Sequence, residues 1–274
     1  MTDPTPSVGV YVASYNTAAV TELCVRTMRM RAGRPFTLTV GDAGSTDGSV
    51  EMLEAFQRRG WLVLETVAER RTHTEWLDRW YAASPYRYIV FSDSDVEYRG
   101  DGWLTALVDR AVESGAAIVA TRIQARDWPA YTHPVTGAQR RLAPRPEPWL
   151  MLIDLEQTRG VVDVGFGYHE ETNEHGNCAF DTAAAFFRAV GDAGLGYVEM
   201  PAEYQRAYRH FGSMSWRRAS DRRLGLRQRV QAALKTIAVR RHLAVARRAD
   251  RGAPDRRASD PGPTDPGPIQ PGSG

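Results

Sequence analysis

The amino-acid sequence predicts an α/β fold built on a mainly parallel sheet flanked by helices. From Val8 to Met200, apolar runs of strand length alternate with stretches of helical period, which is the pattern of βαβ units. Residues 217–250 follow as a basic segment of helical period. Residues 251–274 hold six Pro and five Gly, a composition that cannot bury a core. We therefore expect one domain over residues 1–216, a basic helical extension and a disordered tail.

Strand and helix periods alternate regularly in the first part of this domain. Short apolar runs predict the strands, and apolar positions three and four residues apart predict the helices. Either Ser45 or Asp47 can cap the second helix, which begins near Ser49. In order, the predicted elements are the strand VGVYVAS, a helix with Val20, Leu23, Cys24, Thr27, Met28 and Met30 on one face, the strand PFTLTVGD, the helix from Ser49, the strand WLVLETV, a helix from about Thr74 to Ala83, the strand YRYIVFSDSD, the helix GWLTALVDRAVES and the strand AAIVATRI.

The second part of the domain is less regular. Residues 124–150 contain five prolines among Arg and Trp, which predicts a long irregular excursion rather than further sheet. After it we expect a strand in WLMLIDLEQ, a polar loop in GFGYHEETNEHGN and a helix in CAFDTAAAFFRAVGDAG. In the basic segment, one apolar helical stripe is predicted from the spacing of Leu226, Val230, Leu234 and Ile237.

Composition excludes several classes of protein. With 274 residues, 42% of them apolar, the chain can bury one good-sized core, which excludes a disordered protein, a collagen and a small disulfide scaffold. No apolar run is long enough to span a membrane and no basic-then-apolar leader precedes the first strand, so we expect a soluble cytoplasmic protein. Cys24 and Cys178 lie far apart without CxxC spacing, so we expect neither a disulfide nor a cysteine zinc cluster.

Charge is distributed unevenly along the chain. Residues 1–216 hold 21 Arg against 28 Asp and Glu, whereas residues 217–274 hold 14 Lys and Arg against 5 Asp. The basic segment could pack on the acidic body or on a partner subunit in a homodimer, lie on an anionic inner-membrane face, or bind nucleic acid. Packing is the favoured interpretation and membrane contact the minority one. Aromatic residues are absent after Trp216, which argues against nucleic acid.

The acidic strand end in FSDSDVEY carries the sharpest chemical signal. Asp93 and Asp95 close a buried strand, and in open α/β sheets ligands bind beyond the carboxyl ends of the strands. Residues i and i+2 of a strand share a face, so the two carboxylates suit Mg²⁺ or Mn²⁺, which usually completes its shell with water and substrate phosphate. An isolated Asp-x-Asp is more often a solvated acidic turn, so this interpretation depends on context.

Two further strand ends supply that context. The first strand ends in SYN, the second runs into DAGSTDGS, and the Asp-x-Asp strand lies about fifty residues further on. This order and spacing resemble the family 2 glycosyltransferases of GT-A fold, a Rossmann-like architecture, over residues 7–122 and more loosely over 149–216. The resemblance implies a nucleotide-sugar half at about 7–122 and an acceptor half at about 123–216.

The resemblance also implies an activity. It is the metal-dependent, inverting transfer of a sugar from a nucleoside diphosphate sugar, with Mn²⁺ or Mg²⁺ as cofactor and a UDP-sugar as the favoured donor. The acceptor is a small molecule, a glycan or a lipid-linked molecule that offers a hydroxyl or an amine. We expect no nucleic-acid partner.

Roles at the donor site follow from the resemblance residue by residue. Tyr15, next to Ser14, is implied to stack near the nucleotide base, and Asp42 to lie beside the base and ribose. One arginine of the pair Arg70 and Arg71, with Arg71 preferred, is implied to lie near the base or the diphosphate. The sequence departs from the family at position 43, where an alanine stands in place of the usual second Asp or Asn, so the identity of the base stays open.

Roles at the metal follow in the same way. Asp93 is implied to contact ribose or metal, with Ser94 beside it at the nucleotide sugar, and Asp95 is implied to ligate the cation that bridges the diphosphate. A further ligand in similar proteins is a late histidine, and RHFGSMSW supplies His210 in a predicted loop.

An inverting transfer requires a general base that takes the proton of the acceptor hydroxyl. Similar proteins carry it at the start of the helix after the acceptor loop, and the matching residue here is Asp181, with Glu171 as the reserve. The match is imperfect because Phe180 stands where Glu often precedes the Asp. HEETNEH lacks the spacing of a helical zinc site, so we expect it to contact the acceptor.

Two other functions stay open. A nucleotidyltransferase also uses an α/β sheet and Asp-bound Mg²⁺, but it normally has a Gly-rich basic loop after the first strand, where this chain has SYNTAAV. A non-catalytic protein that binds a sugar nucleotide or a carbohydrate would keep the nucleotide contacts and lose the base.

Overall fold

The computed structural model describes residues 8–67, 70–122, 127–132, 137–212, 214 and 225–252. In chain order the elements are β1 (Val8–Ser14), α1 (Ala18–Arg31), β2 (Thr37–Asp42), α2 (Ser49–Arg58), β3 (Val63–Thr66), α3 (His73–Ala83), β4 (Tyr88–Asp93), β5 (Val96–Tyr98), α4 (Trp103–Ser114), β6 (Ile118–Ala120), β7 (Ala130–Thr132), β8 (Gln139–Leu142), β9 (Leu150–Asp154), α5 (Leu155–Thr158), β10 (His169–Asn173), β11 (Gly176–Phe180), α6 (Ala184–Asp192), β12 (Tyr197–Glu199), a 3₁₀ helix (Ala202–Ala207), β13 (Tyr208–His210) and α7 (Leu226–Gly252).

A seven-stranded sheet forms the centre of the protein, in the order β12-β6-β9-β4-β1-β2-β3. Its strands pair in parallel except β9, which runs antiparallel to both β4 and β6. Because β1, β2 and β4 are parallel neighbours, their carboxyl ends meet at one edge of the sheet. The SYN, DAGSTDGS and Asp-x-Asp segments therefore lie side by side, as the sequence predicts.

Helices cover both faces of this sheet, and the side-chain alternation of β1 shows how. Val10 and Val12 point into one core cluster with residues of α1, α2 and α4, including Leu53 and Leu104. Tyr11 points the other way, into a second cluster with residues of α3 and α6. The period of two along a strand buried on both faces thus creates two hydrophobic layers.

A second, four-stranded sheet in the order β10-β11-β8-β7 corrects three sequence-based expectations. The proline-rich excursion at 124–150 contains the short strands β7 and β8, and the expected polar loop in HEETNEH is the β10–β11 hairpin. Cys178–Phe180, expected in a helix, belongs to β11. The alternation was hidden because polar pairs occupy both faces: Arg140 binds Glu170 on one, and Arg188 binds Glu171 on the other.

Helix α7 packs on the body against α1, the arrangement that the favoured interpretation of the basic segment expects. Its buried side chains are small or branched, and Val239 and Leu243 pack with Leu23 and Phe211. Two ion pairs flank this contact, one between Glu22 and Arg247 and one between Arg26 and Asp250. None of the described helices combines the length and the apolar content that a bilayer crossing requires. Residues 217–224 and 253–274 lie outside the described residues.

The predicted apolar stripe of the basic segment is not the packing face. Leu226, Val230, Leu234 and Ile237 are between 49% and 77% exposed. The helix instead buries Ala232, Val239, Leu243 and Ala246, on the side that the ion pairs to Glu22 and Arg26 flank.

Leu243→Ala should lower the free energy of unfolding by about 2–5 kcal/mol, because the side chain is fully enclosed between α1 and α7. Leu234→Ala is the matched control, since Leu234 is 60% exposed on the same helix and the change should cost less than about 0.5 kcal/mol. Urea denaturation followed by tryptophan fluorescence measures both. Equal effects of the two substitutions would show that α7 does not pack as described.

Candidate active site

Asp93, Asp95 and His210 converge at the carboxyl end of β4. Asp93 ends that strand, and Asp95 lies in the turn that leads to β5. His210 comes from far along the chain, because β13 pairs antiparallel with β5 and sets His210 opposite Val96. The backbone N–H of Phe211 donates to the carbonyl of Asp95 at 2.9 Å and extends this pairing.

The donor atoms of these three residues lie within 4.8 Å of one another. His210 Nε2 is 3.0 Å from Asp95 Oδ1 and 3.3 Å from Asp93 Oδ2. The imidazole is stacked on Trp149, with 5.0 Å between ring centroids. Asp95 Oδ2 also accepts from the backbone N–H of Met214 at 3.3 Å. Two carboxylates and one imidazole at this spacing fit a divalent cation.

The electrostatics of this cluster follow from its partial burial. Burial lowers the pKa of His210, but hydrogen bonds with Asp93 and Asp95 outweigh it and raise the pKa to about 9. Burial raises the pKa of Asp93, and His210, His73 and Arg145 together bring it below its usual value. The two carboxylates therefore favour a proton on His210.

The loops after β1 and β2 are tied together by side chains of both loops. Asn16, in the left-handed region at φ 54°, donates from its backbone N–H to Ser45 Oγ at 2.7 Å. Its side-chain oxygen accepts from the Thr46 N–H at 2.7 Å. Asp47 accepts from the Ala18 N–H at 3.0 Å and from the Ser49 N–H at 3.2 Å, at the start of α2. The loops after β1 and β2, where we expect the donor to bind, are thus joined by hydrogen bonds into one rim of the sheet edge.

The structure distributes the predicted donor residues over this rim and the layer beneath it. The guanidinium of Arg70 lies over the Tyr15 ring at 4.5 Å, whereas that of Arg71 lies over Trp76 at 4.8 Å. Of the two arginines, Arg70 is therefore the one in contact with Tyr15. Asp42 is fully buried, and both of its oxygens accept from Ser45, each at 2.7 Å.

Two predicted serines lie close to Thr17. Ser14 is 2% exposed, and its hydroxyl lies among those of Thr17 and Thr21, at 3.5 and 3.3 Å. Ser94 Oγ is 3.3 Å from Thr17 Oγ1. Ser14 therefore supports the rim from below rather than lining its surface.

Asp181 directly follows β11 and is held from two sides. Its Oδ1 accepts from the Thr182 N–H at 2.8 Å, and its Oδ2 accepts from Arg145 Nη2 at 2.8 Å. The Asp181 side chain is 45% exposed, whereas that of Arg145 is only 10% exposed. The same guanidinium also lowers the pKa of Asp93. Arg145 therefore links the predicted base to the acidic cluster.

Arg145 was missed in the sequence. It lies in the proline-rich excursion among several other arginines, and no spacing or neighbouring motif distinguishes it from them.

Glu171, the reserve base, is not brought together with Asp181. Arg188 on α6 binds it at 2.6 and 3.2 Å, and this hydrogen bonding lowers the pKa of Glu171 to about 2. In the β10–β11 ladder Glu171 pairs with Cys178, and Glu170 pairs with Ala179. Side chains alternate between the two faces of a strand, so Glu170 lies on the face shared by Ala179 and by Asp181 two residues further on. Glu171 lies on the other face.

Residues 9–175 match the protein-family model described as Glycosyl transferase family 2. The match covers more than half of the chain, and the chain belongs to this family. It is therefore a glycosyltransferase, as the strand-end motifs predict.

One of the similar solved structures shows the same fold at low sequence identity. The mannosyltransferase PcManGT from Pyrobaculum calidifontis, in complex with GDP-Man and Mn²⁺, is 18% identical, with a TM-score of 0.52 over 92% of this chain and 77% of that chain. Glucosyl-3-phosphoglycerate synthase from Mycobacterium tuberculosis, in complex with phosphoglyceric acid, is 16% identical, with a TM-score of 0.49 over 86% and 80%. TarS 1-349 from S. aureus, in complex with UDP, is 16% identical, with a TM-score of 0.41 over 56% and 48%. No curated protein matches the chain. The fold is GT-A, as predicted.

Proposed function

We propose that this glycosyltransferase transfers a sugar, with inversion, from a nucleoside diphosphate sugar to an acceptor hydroxyl or amine, with Mn²⁺ or Mg²⁺ as cofactor. The observation that carries the proposal is the cluster of Asp93, Asp95 and His210 at the carboxyl end of β4, with donor atoms within 4.8 Å. The complex of PcManGT with GDP-Man and Mn²⁺ is consistent with it.

In this proposal Asp93, Asp95 and His210 hold the cation. When bound, the cation supplies Lewis-acid stabilisation of the charge that grows on the departing nucleoside diphosphate. The stacking of His210 on Trp149 and the pairing of β13 with β5 hold the imidazole ring in place in advance. Little further ordering of this side chain is therefore needed when the cation binds.

The donor's base is proposed to bind at the rim formed by the loops after β1 and β2. Tyr15 offers a ring face there, and Arg70, whose guanidinium now lies on that face, can move aside or cover a stacked base. Asp42 is fully buried below this position and holds Ser45 with both oxygens, so its proposed role at the base and ribose is to position Ser45 at the rim. Arg71 and Ser94 remain proposed contacts of the diphosphate and the sugar, and Ser14 a supporting one.

Asp181 is proposed as the general base. Its carboxylate is half-exposed, so an acceptor can reach it, while Arg145 and the Thr182 N–H fix its orientation. In the proposed step the acceptor oxygen gives its proton to Asp181 and forms the bond to the anomeric carbon. The bond from that carbon to the diphosphate breaks on the opposite face of the sugar, and the nucleoside diphosphate leaves with the electron pair.

The small sheet is proposed to bind the acceptor beside Asp181. Glu170 binds Arg140 at 2.7 Å and accepts from the Tyr168 hydroxyl at 2.6 Å. Burial raises the pKa of Tyr131, and the carboxylates of Asp181 and Glu170 raise it further, which indicates that Tyr131 lies near both. Phenol, guanidinium and carboxylate groups on one face suit a hydroxyl-rich acceptor such as a glycan.

A thermal-shift panel of UDP-, GDP- and dTDP-sugars, each with Mn²⁺ or with EDTA, tests this proposal. We expect the UDP-sugars to raise Tm by about 5–10 °C at roughly one hundred times Kd, and only with Mn²⁺, because a ligand that binds the folded state alone stabilises it by mass action. A metal-dependent response to another nucleotide would change the donor and keep the class. A rise in Tm that is equally large in EDTA would contradict the metal-dependent donor site. So would the absence of any rise in Tm with all of the nucleotide sugars.

A further inference from the structure

We infer that α7 docks the protein on an anionic lipid surface through the helix face turned away from α1. This outer face of α7 consists of five exposed apolar side chains and the arginines among them. The apolar members are Leu226, Val230, Leu234, Ile237 and Val245, and the arginines are Arg227, Arg229, Arg240, Arg241, Arg248 and Arg251.

The apolar side chains of the outer face are unusually concentrated. They are 49–77% exposed, and they make up five of the twelve exposed large hydrophobic side chains among the described residues. Spacings of three, four and eight residues keep Leu226, Val230, Leu234, Ile237 and Val245 along one side of the helix. Scattered exposed apolar residues are ordinary on a protein surface, whereas an apolar stripe on one helix marks a contact surface.

The fold does not need this stripe for its own packing. Ala232, Val239, Leu243 and Ala246 already bury the opposite side of α7 against the body. Residues 225–231 are all exposed, so the first two turns of the helix project beyond that contact. The outer face is therefore available to an external partner.

Charge selects the partner. The helix holds eight Lys and Arg against a single acidic residue, Asp250, which is itself paired with Arg26. An interfacial helix with apolar side chains between cationic ones buries the former at the acyl boundary and sets the latter among lipid phosphates. A second copy of this face would oppose arginines to arginines, which disfavours a two-fold dimer. The helix carries no Phe, Tyr or Trp, which disfavours stacking on nucleic acid.

The position of α7 connects this surface to the acidic cluster. Lys235 Nζ donates to the Gly212 carbonyl at 2.8 Å, two residues beyond His210, and His242 Nδ1 lies 2.8 Å from Glu97 Oε1, two residues beyond Asp95. Both contacts lie on the side of α7 opposite the outer face, so docking would place the acidic cluster behind the helix, one helix diameter (~10 Å) from the lipid surface. If the proposed function holds, this placement favours a lipid-linked acceptor.

Co-sedimentation of the full chain with vesicles tests the inference without donor or metal. We expect binding to vesicles of equal parts phosphatidylcholine and phosphatidylglycerol, little binding to phosphatidylcholine alone, and weakening by salt. Leu234→Gln with Ile237→Gln, and separately Arg240→Gln with Arg241→Gln, should each weaken binding by about tenfold or more. Val112→Gln and Arg58→Gln are matched controls, since Val112 is 59% exposed and the Arg58 side chain 70% exposed on other helices.

Three results would overturn the inference. In the first, the wild-type chain does not bind anionic vesicles. In the second, the paired variants bind vesicles as well as the wild type does. In the third, light scattering shows a dimer that Leu234→Gln with Ile237→Gln dissociates, and the chain does not bind vesicles. Each is independent of the donor panel, so failure of docking and failure of the proposed transfer can be told apart. Circular dichroism of the variants checks that they fold, which the exposure of the changed side chains leads us to expect.

Discussion

Asp95→Asn should reduce kcat/KM for sugar transfer by about a hundredfold to ten-thousandfold. The substitution removes a negative oxygen ligand from the three-residue cluster, and the metal it holds is proposed to supply several kcal/mol of stabilisation to the leaving diphosphate. The remaining activity should require much more Mn²⁺ than the wild-type enzyme. Initial rates measured across a Mn²⁺ titration give both effects.

Asp101→Asn is the matched control for this change. Asp101 is an exposed acidic residue six positions further on, and it pairs with Arg31 rather than with the cluster. Its substitution should leave transfer within about twofold, because a surface ion pair contributes little. Full turnover by Asp95→Asn in EDTA would show that the reaction does not depend on a metal held at this position.

Asp181→Asn should reduce kcat by about a hundredfold to ten-thousandfold and leave donor affinity close to the wild-type value. An amide keeps the shape of the side chain but cannot take the acceptor proton, and the residue is not among the proposed donor contacts. Steady-state rates give kcat, and isothermal titration with a nucleotide sugar and Mn²⁺ gives donor affinity.

Glu171→Gln separates the two candidate bases. Its carboxylate is bound to Arg188 on the other face of the small sheet, so the change should break an ion pair and keep turnover within a few-fold. A loss of donor affinity in Asp181→Asn would reassign that residue to donor binding. A large loss of kcat in Glu171→Gln, with little in Asp181→Asn, would reverse the two assignments.

The sequence was sufficient for six of the seven strands of the large sheet because they follow simple rules, whereas the short edge strand β12 was not predicted. Parallel strands buried on both faces read as continuous apolar runs, and the polar residues after β1, β2 and β4 stand out against them. The order of those strands then brings Tyr15, Asp42 and Asp93 to one edge. His210 was placed with them by family resemblance, and the structure explains how it arrives there, since β13 pairs with β5.

The small sheet was not readable for a physical reason. Its strands carry charged residues on both faces, and Glu170 and Glu171 become strand residues only through partners far away in the chain, Arg140 and Arg188. Tertiary pairing of this kind leaves no local period. The role of Arg145 was missed for the same reason. Its hydrogen bond to Asp181 depends on where residues 124–150 lie relative to β11, and no local pattern shows this.

The sequence pattern also did not predict which face of α7 packs on the body. The larger residues Leu226, Val230, Leu234 and Ile237 predict the more hydrophobic stripe, but the helix packs through Ala232, Val239, Leu243 and Ala246. Ion pairs from Glu22 and Arg26 to α7 fix this rotation, and those partners could not be assigned from the sequence alone.

The central claim is that Asp93, Asp95 and His210 bind the divalent cation that holds the donor diphosphate. Crystals grown with Mn²⁺ and a nucleoside diphosphate, measured at the manganese absorption edge, test it most directly. We predict one anomalous peak among the two carboxylates and the imidazole, in contact with the diphosphate. A nucleotide bound with no peak at this cluster, or with the peak at another place in the protein, would contradict the claim.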